Sequence, residues 1–443
     1  MGTTSISSIT KKILEIEKNN DLLNWVINDV FVWQSARVVI YSNIQELVNS
    51  QIPQSSPAKK TGLLNVIYNR FIVNAIFYNP FLDLKKNDAL VFESSRKYNV
   101  DGEYIDIYTK YLCDELAKKN VSFKKYQSSY SFDKLSSNRS DTKHLDHILL
   151  LAKLRAKFIK VKYSAKDLER IETIKTLLRN TFKIEIDLMA IIDTEIKKMR
   201  SQYHFFNRLY RRKKVKEIYL VNFCDKAPLI LAAKNNNVKV VEMQHGLMVK
   251  EDLIFHFPDS EKGKVNYFPT DFYVWDTDLN SSVLPIEQKN ILVYGNKFLE
   301  NRVSKFSNTS KIKNRLLIIS QPSLTNEMVR FTLNNTATFK DLEVIYKLHP
   351  IEEQGFKTNP HYSQLSQISN LKIVGNNVSM YELLAGAQNV IGVYSTAMYE
   401  ALAFKCNVFL LDLPGVEMMQ PLVDNGRVRM FAPSLFENKM PAA

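Results

Sequence analysis

Between Leu342 and Pro414, short apolar runs alternate with segments of good helix propensity, and polar residues stand where the apolar runs end. One run ends in His349-Pro350, and another, Val390–Val393, is followed after one residue by Ser395-Thr396. Strands that alternate with helices pair in parallel, so their carboxyl ends gather at one edge of the sheet. This stretch therefore predicts a Rossmann-like domain whose ligand crevice receives an imidazole and two hydroxyls.

A second alternation of apolar runs and helical patterns comes earlier, from residue 217 onwards. Its predicted strands are Glu217–Val221, Val238–Glu242 and Phe272–Trp275, with a helix over Ala227–Lys234. The sequence thus predicts an α/β protein with two Rossmann-like domains, 1–285 and 291–443, facing across a cleft. Helical patterns over 9–35 and most of 144–210 add extra helices to the N-terminal domain.

Composition narrows the class of protein and the kind of partner. With 443 residues, 45% hydrophobic residues and 11% aromatic residues, the chain can form two cored domains and is not intrinsically disordered. The formal net charge of +14 favours an anionic partner, such as a nucleotide, a nucleic acid or an acidic membrane, although a solvated basic surface explains it equally well. We interpret the basic run Arg211–Lys214 as a solvated helix end.

Several familiar chemistries are missing from the sequence. It contains no Gly-x-Ser-x-Gly, no Walker loop, no Gly-x-Gly-x-x-Gly and no His-Glu-x-x-His. The three cysteines lie far apart in no metal-ligand spacing, which argues against a disulfide framework and a cysteine-based metal site. No apolar run approaches the length of about 20 residues that spans a membrane, so we expect a soluble or peripheral protein.

The C-terminal alternation offers a candidate phosphate site. His349 can donate a hydrogen bond to a phosphate oxygen, and Pro350 fixes the turn that follows the strand. Ser395 and Thr396 open a predicted helix, where two hydroxyls hold a phosphate or simply cap the helix. Glu400, one turn further on, is placed for a ribose hydroxyl, or is a surface acid favoured by the helix dipole.

The N-terminal alternation offers candidates for a general base. His245 lies in Gln244-His245-Gly246 at the end of a predicted strand, where it is either a base or a buried histidine satisfied by the backbone. Asp101 and Glu103 follow the predicted strand Ala89–Glu93 and are alternative bases. Asp225 is a further acid in such a loop, and there we favour a helix N-cap.

Taken together, Gln244-His245-Gly246, Lys347-Leu348-His349-Pro350 and Tyr394-Ser395-Thr396 resemble motifs of bacterial surface-polysaccharide glycosyltransferases of the GT-B fold. The His-Pro and Ser/Thr pairs are similar to the nucleotide-site motifs of bacterial sialyltransferases and polysialyltransferases, which use CMP-activated sugars. That resemblance assigns His349, Ser395 and Thr396 to donor binding. CDP-glycerol and CDP-ribitol polyol-phosphate transferases are a second resemblance, and in them the first histidine is a candidate base, as His245 would be here.

The resemblance implies a metal-independent, inverting transferase that needs no cofactor beyond its nucleotide-sugar donor. It would move a nonulosonic or related keto-acid sugar from a CMP-linked donor to a cell-surface or lipid-linked glycan. We expect it in the cytoplasm, peripheral on the inner face of a bacterial cell membrane, with no nucleic acid as partner. The alternatives are a teichoic-acid-type CDP-polyol phosphate transferase, a GT-B-like sugar-nucleotide epimerase, and a basic scaffold or nucleic-acid-binding protein.

Overall fold

The computed structural model describes residues 6–48, 72–83, 85–94, 97–100, 102–128, 142–258, 261, 263–276, 283–354, 356 and 360–437. The chain divides into two compact units, which we call the N-terminal unit, Ser8–Asn296, and the C-terminal unit, whose main segment is Lys297–Ala443. Each unit is built on its own parallel sheet.

The N-terminal unit contains a seven-stranded sheet and two short hairpins. Numbered in chain order, the strands are β1 Val26–Ile27, β2 Val30–Phe31, β3 Ala89–Phe92, β4 Tyr98–Val100, β5 Glu103–Ile105, β6 Phe123–Gln127, β7 Thr142–His144, β8 Glu217–Leu220, β9 Lys239–Met243, β10 Asp271–Val274 and β11 Ile291–Val293. The order in the sheet is β11-β10-β9-β8-β3-β6-β7, and every neighbouring pair is parallel. The direction of strand succession reverses between β3 and β8, and a ligand crevice lies at such a reversal in open α/β sheets.

The helices of this unit are α1 Ile6–Asn19, α2 Val32–Val48, α3 Asn74–Ile76, α4 Lys110–Lys118, α5 Asp146–Ala156, α6 Ala165–Phe182, α7 Leu188–Lys213 and α8 Ala227–Lys234. Local sequence sets the ends of the two longest. Ser164 and Asp167 form a capping box at the start of α6, and Asp187 accepts the Ala190 N–H at the start of α7. Left-handed residues, Lys183 and Lys214, end these helices.

The basic run at the end of α7 is not simply solvated, as the sequence suggested. The Lys213 side chain is 1% exposed and its Nζ lies 3.0 Å from Asp83 Oδ2. The same ammonium donates to the backbone oxygens of Asp83 and Lys85 at 2.5 and 2.8 Å. A buried cation satisfied in this way fixes the helix end to a segment 130 residues earlier.

The continuous helix predicted over 9–35 is also wrong in its middle. Between α1 and α2 the chain forms the β1–β2 hairpin, whose two turn residues, Asn28 and Asp29, have φ of 52° and 63°. Two left-handed residues make a turn that matches the twist of a hairpin, and Asn and Asp adopt that conformation more readily than most residues.

The C-terminal unit contains a six-stranded parallel sheet, in the order β14-β13-β12-β15-β16-β17. Its strands are β12 Ile312–Ile319, β13 Glu343–Lys347, β14 Leu371–Val374, β15 Ala387–Gly392, β16 Asn407–Leu410 and β17 Arg429–Met430. Its helices are α9 Lys297–Lys305, α10 Thr325–Asn334, α11 Pro360–Leu365, α12 Met380–Gly386, α13 Thr396–Ala403, α14 Gln420–Asp424 and α15 Ser434–Glu437. Leu316, Leu317 and Ile318 at its centre are fully buried, as expected of a parallel strand covered on both faces. Strand succession reverses between β12 and β15.

Two parallel α/β sheets with added N-terminal helices confirm the predicted GT-B-like α/β fold class. One detail differs from the expected division of the chain. Strand β11, placed at the start of the C-terminal domain by the sequence, pairs in parallel with β10 and belongs to the N-terminal sheet.

Candidate functional site

The Ser395-Thr396 pair lies at the strand-order reversal of the C-terminal sheet, between the end of β15 and the start of α13. Ser395 has the extended backbone of an N-cap residue, with φ −101° and ψ 157°, yet its side chain makes no capping hydrogen bond. Its Oγ is buried and has no hydrogen-bond partner among the described residues. The hydroxyl is therefore not used as a cap, and a buried donor beside a helix N-terminus suits an anion.

His349 lies just after β13, in a turn with Pro350, which is exposed. Its Nδ1 accepts the Ile351 N–H at 3.3 Å. Because a neutral imidazole has one donor and one acceptor, this bond places the ring proton on Nε2. In that form Nε2–H is a donor of the kind that a phosphate oxygen accepts.

Glu352 holds this turn in place, and it was not among the residues picked out from the sequence. Its Oε1 accepts from Ser320 Oγ at 2.9 Å, from Thr325 Oγ1 at 2.5 Å and from Tyr362 Oη at 2.7 Å. Its Oε2 accepts the His349 N–H at 2.9 Å. One carboxylate thereby joins the ends of β12 and β13 to the first turn of α10.

Replacing Glu352 with Gln should lower the free energy of unfolding by about 1–3 kcal/mol, because the amide NH2 would then face one of these donors. Chemical denaturation measures the change, and Glu327→Gln, an exposed acid on α10, is the matched control. Equal midpoints for the Glu352 and Glu327 variants would show that the carboxylate does not hold the turn.

Glu400 is one turn along α13 from Thr396. Burial raises the pKa of this carboxyl to about 7, and the Tyr381 hydroxyl, which donates to Oε1 at 3.3 Å, opposes that shift. Glu400 is thus not the exposed, fully ionised acid that a helix surface would carry. A side chain poised between its two forms can accept a hydrogen bond as a carboxylate or donate one as an acid.

In the N-terminal unit, His245 follows β9 and is paired with Glu242, the penultimate residue of that strand. Its Nδ1 lies 3.2 Å from Glu242 Oε1, and the two side chains are 26% and 0% exposed. The same Oε1 accepts the Asn222 N–H at 2.8 Å. The pKa of Glu242 is raised overall, because burial raises it by more than the contact with His245 lowers it. The 3.2 Å contact is a close charge pairing and not an aligned hydrogen bond, because Nδ1 has no hydrogen-bond partner among the described residues. An ionised Glu242 beside Nδ1 still favours a proton on that atom, which leaves Nε2 as the base.

The neighbours of His245 serve the loop rather than the chemistry. Gln244 is 3% exposed, and its side chain donates to Gly246 O at 2.9 Å and accepts the Trp275 N–H at 2.7 Å. A Cβ built on Gly246 would meet no atom within 4 Å, so no close approach among the described residues requires glycine at this position.

The acids proposed as alternative bases fall in different places. Asp101 lies outside the described residues. Glu103 is exposed on the β4–β5 hairpin. Asp225 pairs with Lys226 at 2.7 Å, and the N-cap of α8 is Lys226, so the predicted capping role of Asp225 is wrong.

Asp106, which the sequence did not single out, is the buried acid of this region. Its two oxygens accept the Ser94 N–H at 2.6 Å and the Tyr108 N–H at 2.9 Å. Burial raises its pKa, and Lys97 opposes that shift. The Tyr108 ring in turn packs edge-on against His245, with ring centroids 6.2 Å apart.

A cavity of about 770 Å³ lies within the N-terminal unit, lined by residues at or near the carboxyl ends of β3, β6 and β8 and by α5 and α7. Five lysines line it: Lys153, Lys157, Lys197, Lys198 and Lys226. The last three pair with Asp193, Glu195 and Asp225. The Tyr126 hydroxyl is buried in its wall without a partner among the described residues. The cavity lies at the strand-order reversal, has room for a sugar-sized ligand and is basic on the α5 side.

The Asn222 residue connects this cavity to the His245 pair, because it lines the cavity and its N–H bonds Glu242. Ser94 makes the corresponding link to Asp106. The candidate base and the cavity thus share one edge of the N-terminal sheet.

No family model matches the chain, and no curated protein is similar to it. Among solved structures, the UDP-GlcNAc 2-epimerase from Methanocaldococcus jannaschii is 12% identical, with a TM-score of 0.46 over 80% of this chain and 93% of that chain. The Neisseria meningitidis UDP-GlcNAc 2-epimerase bound to UDP-GlcNAc is 14% identical, with a TM-score of 0.47 over 78% and 87%. Acinetobacter baumannii MurG is 11% identical, with a TM-score of 0.41 over 79% and 88%. Likeness at this level does not assign a reaction to the chain.

The described residues hold no group of three or more His, Cys, Asp or Glu side chains that could bind a metal ion. None of the helices described is both long and apolar enough to cross a bilayer.

Proposed function

We propose that the chain is a sugar-nucleotide-dependent glycosyltransferase whose C-terminal unit binds the donor, a CMP-activated nonulosonic or related keto-acid sugar. The observation that carries this proposal is the buried, unpartnered Ser395 Oγ at the start of α13. Leaving such a hydroxyl without a hydrogen bond costs about 1–3 kcal/mol, a cost that a bound phosphate would remove.

The rest of the donor site follows from the same edge of the C-terminal sheet. Thr396 and the helix N-terminus add donors to a phosphate, and the Nε2–H of His349 adds another. Donors held in place before the reaction stabilise the charge that develops on a departing phosphate. In this proposal Glu400 accepts from a ribose hydroxyl. The choice of CMP rests on the similarity of the His-Pro and Ser/Thr pairs to sialyltransferase motifs.

The N-terminal unit supplies the acceptor side in this proposal. The basic cavity binds the acceptor glycan, and Nε2 of His245 removes the proton from its attacking hydroxyl, with Glu242 holding the ring. Direct attack by that hydroxyl on the sugar would invert the anomeric centre. The basic cavity of the N-terminal unit favours a transferase over an epimerase, which needs no acceptor.

Thermal-shift measurements with CMP, CDP, UDP and GDP test the proposal. A rise in melting temperature that is largest for CMP supports it, because binding to the folded state alone stabilises that state. A CDP-selective rise indicates a polyol-phosphate transferase, and a UDP-selective rise indicates an epimerase. No rise with any of the four nucleotides would contradict the proposal.

The pKa of Glu400 gives a prediction that does not depend on the donor. Because the folded-state pKa is about 7 and the ordinary value is 4.5, the folded state binds this proton more tightly than the unfolded state. The stabilisation is complete below pH 4.5 and is lost as the pH rises through about 7. Relative to Glu400→Gln, the unfolding free energy of the wild type should fall by about 2–3 kcal/mol over that window. Parallel curves for the two proteins would show that Glu400 has an ordinary pKa.

A further inference from the structure

Helix α5 and the turn after it carry a surface that the proposed chemistry does not use. Three large apolar side chains on it face solvent: Leu151 is 48% exposed, Leu154 is 44% exposed and Phe158 is 84% exposed. No other large hydrophobic side chain among the described residues is as exposed as Phe158. Residues spaced by three and four lie on one face of a helix, so these three form a stripe.

Hydrogen bonds continue the helical path beyond Ala156, where α5 formally ends. The N–H groups of Lys157, Phe158 and Ile159 donate to the backbone oxygens three residues earlier, at 3.2, 3.0 and 3.2 Å. Phe158 is therefore held by a regular turn.

The charged side chains of residues 147–166 themselves have one sign, while Asp193 and Asp167 border the segment through hydrogen bonds from Tyr163 and Ser164. From His147 to Lys166 the sequence contains no Asp or Glu, and it contains six basic residues: Lys153, Arg155, Lys157, Lys160, Lys162 and Lys166. All six are exposed, and none forms an ion pair with a described residue. We call this surface, residues 151–166, the basic-apolar face.

We propose that the basic-apolar face binds the surface of an anionic lipid bilayer. Lys and Arg side chains near such a surface are attracted to its anionic lipids, and an aromatic ring or leucine gains further by entering the acyl boundary. The apolar stripe is what favours lipid over nucleic acid, since leucine side chains add nothing to phosphate or base recognition, whereas they partition into hydrocarbon.

The location of the basic-apolar face also indicates the chemical class of the acceptor, and this step rests on the proposed function. Lys153 and Lys157 belong both to the basic-apolar face and to the wall of the cavity. A bilayer bound at this face would thus lie beside the cavity, where the anionic head of a lipid-linked glycan can enter it. The acceptor class is then a phosphate-bearing, lipid-anchored glycan.

Co-sedimentation of the full chain with phosphatidylcholine vesicles, with and without phosphatidylglycerol, tests the inference. We expect binding only to the anionic vesicles, with a partition coefficient reduced about tenfold or more in Phe158→Ser. The triple variant Arg155→Glu/Lys160→Glu/Lys162→Glu should lose binding. The matched control, Lys118→Glu/Lys119→Glu/Lys340→Glu, changes the net charge equally at exposed lysines elsewhere and should keep most of it.

Three outcomes would overturn the inference. They are no binding to anionic vesicles, equal loss in the two triple variants, and tighter binding to single-stranded RNA that is unchanged in Phe158→Ser. CMP binding is measured on the same samples, and none of these substitutions touches the proposed donor site. Vesicle binding without CMP binding would support the basic-apolar face as a membrane site and contradict the proposed function. CMP binding without vesicle binding would contradict the membrane site and leave the proposed function intact.

Discussion

Replacing His245 with Gln is expected to lower kcat for sugar transfer by about 10²–10⁴-fold, with little change in the KM for the donor. The imidazole has its Nδ1 3.2 Å from the buried Glu242 and its ring 26% exposed, the arrangement of a base that is held on one side and accessible on the other. Steady-state kinetics measure the loss, and the melting temperature of the variant shows whether the fold is intact.

Glu242→Gln is the companion variant, since it keeps the size of the side chain and an acceptor for Nδ1–H but removes the charge. We expect a smaller fall in kcat than in His245→Gln, because the imidazole remains in place and loses only the charge beside Nδ1. If His245→Gln retains kcat within about threefold of the wild type, a scale far below that of a general base, the base is not His245. Asp101 and Glu103 would then be the next residues to substitute.

The second large effect is expected at His349. His349→Ala removes the Nε2–H donor, and a hydrogen bond to a charged group is worth about 1.5–3 kcal/mol, so CMP affinity should fall about 10–100-fold. Titration calorimetry measures the dissociation constant. His204→Ala, at an exposed histidine of α7, is the control and should bind CMP as the wild type does. Unchanged CMP affinity in His349→Ala would remove this histidine from the donor site.

Central strands such as β3 and β15 were predictable because buried parallel strands are continuous apolar runs, whereas β6 (Phe-Lys-Lys-Tyr-Gln) and β7 (Thr-Lys-His) contain no such run and were not predicted. The helix Ala227–Lys234 was predicted with the bounds that the structure has, and the predicted strand Ala89–Glu93 is one residue longer than β3. The errors occur where a local pattern competes with distant or conformational effects. Lys213 was predicted to be solvated because its partner Asp83 is 130 residues away in the sequence. The helix predicted over 9–35 was wrong in its middle because Asn28 and Asp29 adopt left-handed conformations.

The residues of the candidate site also divide into those that the sequence pointed to and those that it did not. His245, His349 and Ser395 were found because polar residues at the ends of apolar runs mark the ligand edge of a parallel sheet. Their roles stay predictions. Glu352 and Glu242 were missed because each acts through donors from other elements, such as Ser320 and Asn222.

A signal for Glu242 was nonetheless present in the sequence. It is an acid at the end of the predicted strand Val238–Glu242, directly after Val240-Val241, where burial demands a partner. Glu352 had no comparable signal, because an acid in a turn is ordinary. The buried Asp106 was missed because Asp101 and Glu103, which are nearer to the predicted strand Ala89–Glu93, were taken as the candidate acids instead.

The most direct test of the donor site is a calorimetric titration of CMP into the wild type and Ser395→Ala, with Ser307→Ala, an exposed serine of the same unit, as control. Removing a buried hydroxyl that has no partner should leave the unliganded protein as stable as the wild type or more stable. The same change should weaken CMP binding about tenfold, because the phosphate loses a donor. Wild-type CMP affinity in Ser395→Ala, or no CMP binding by the wild type, would contradict the account.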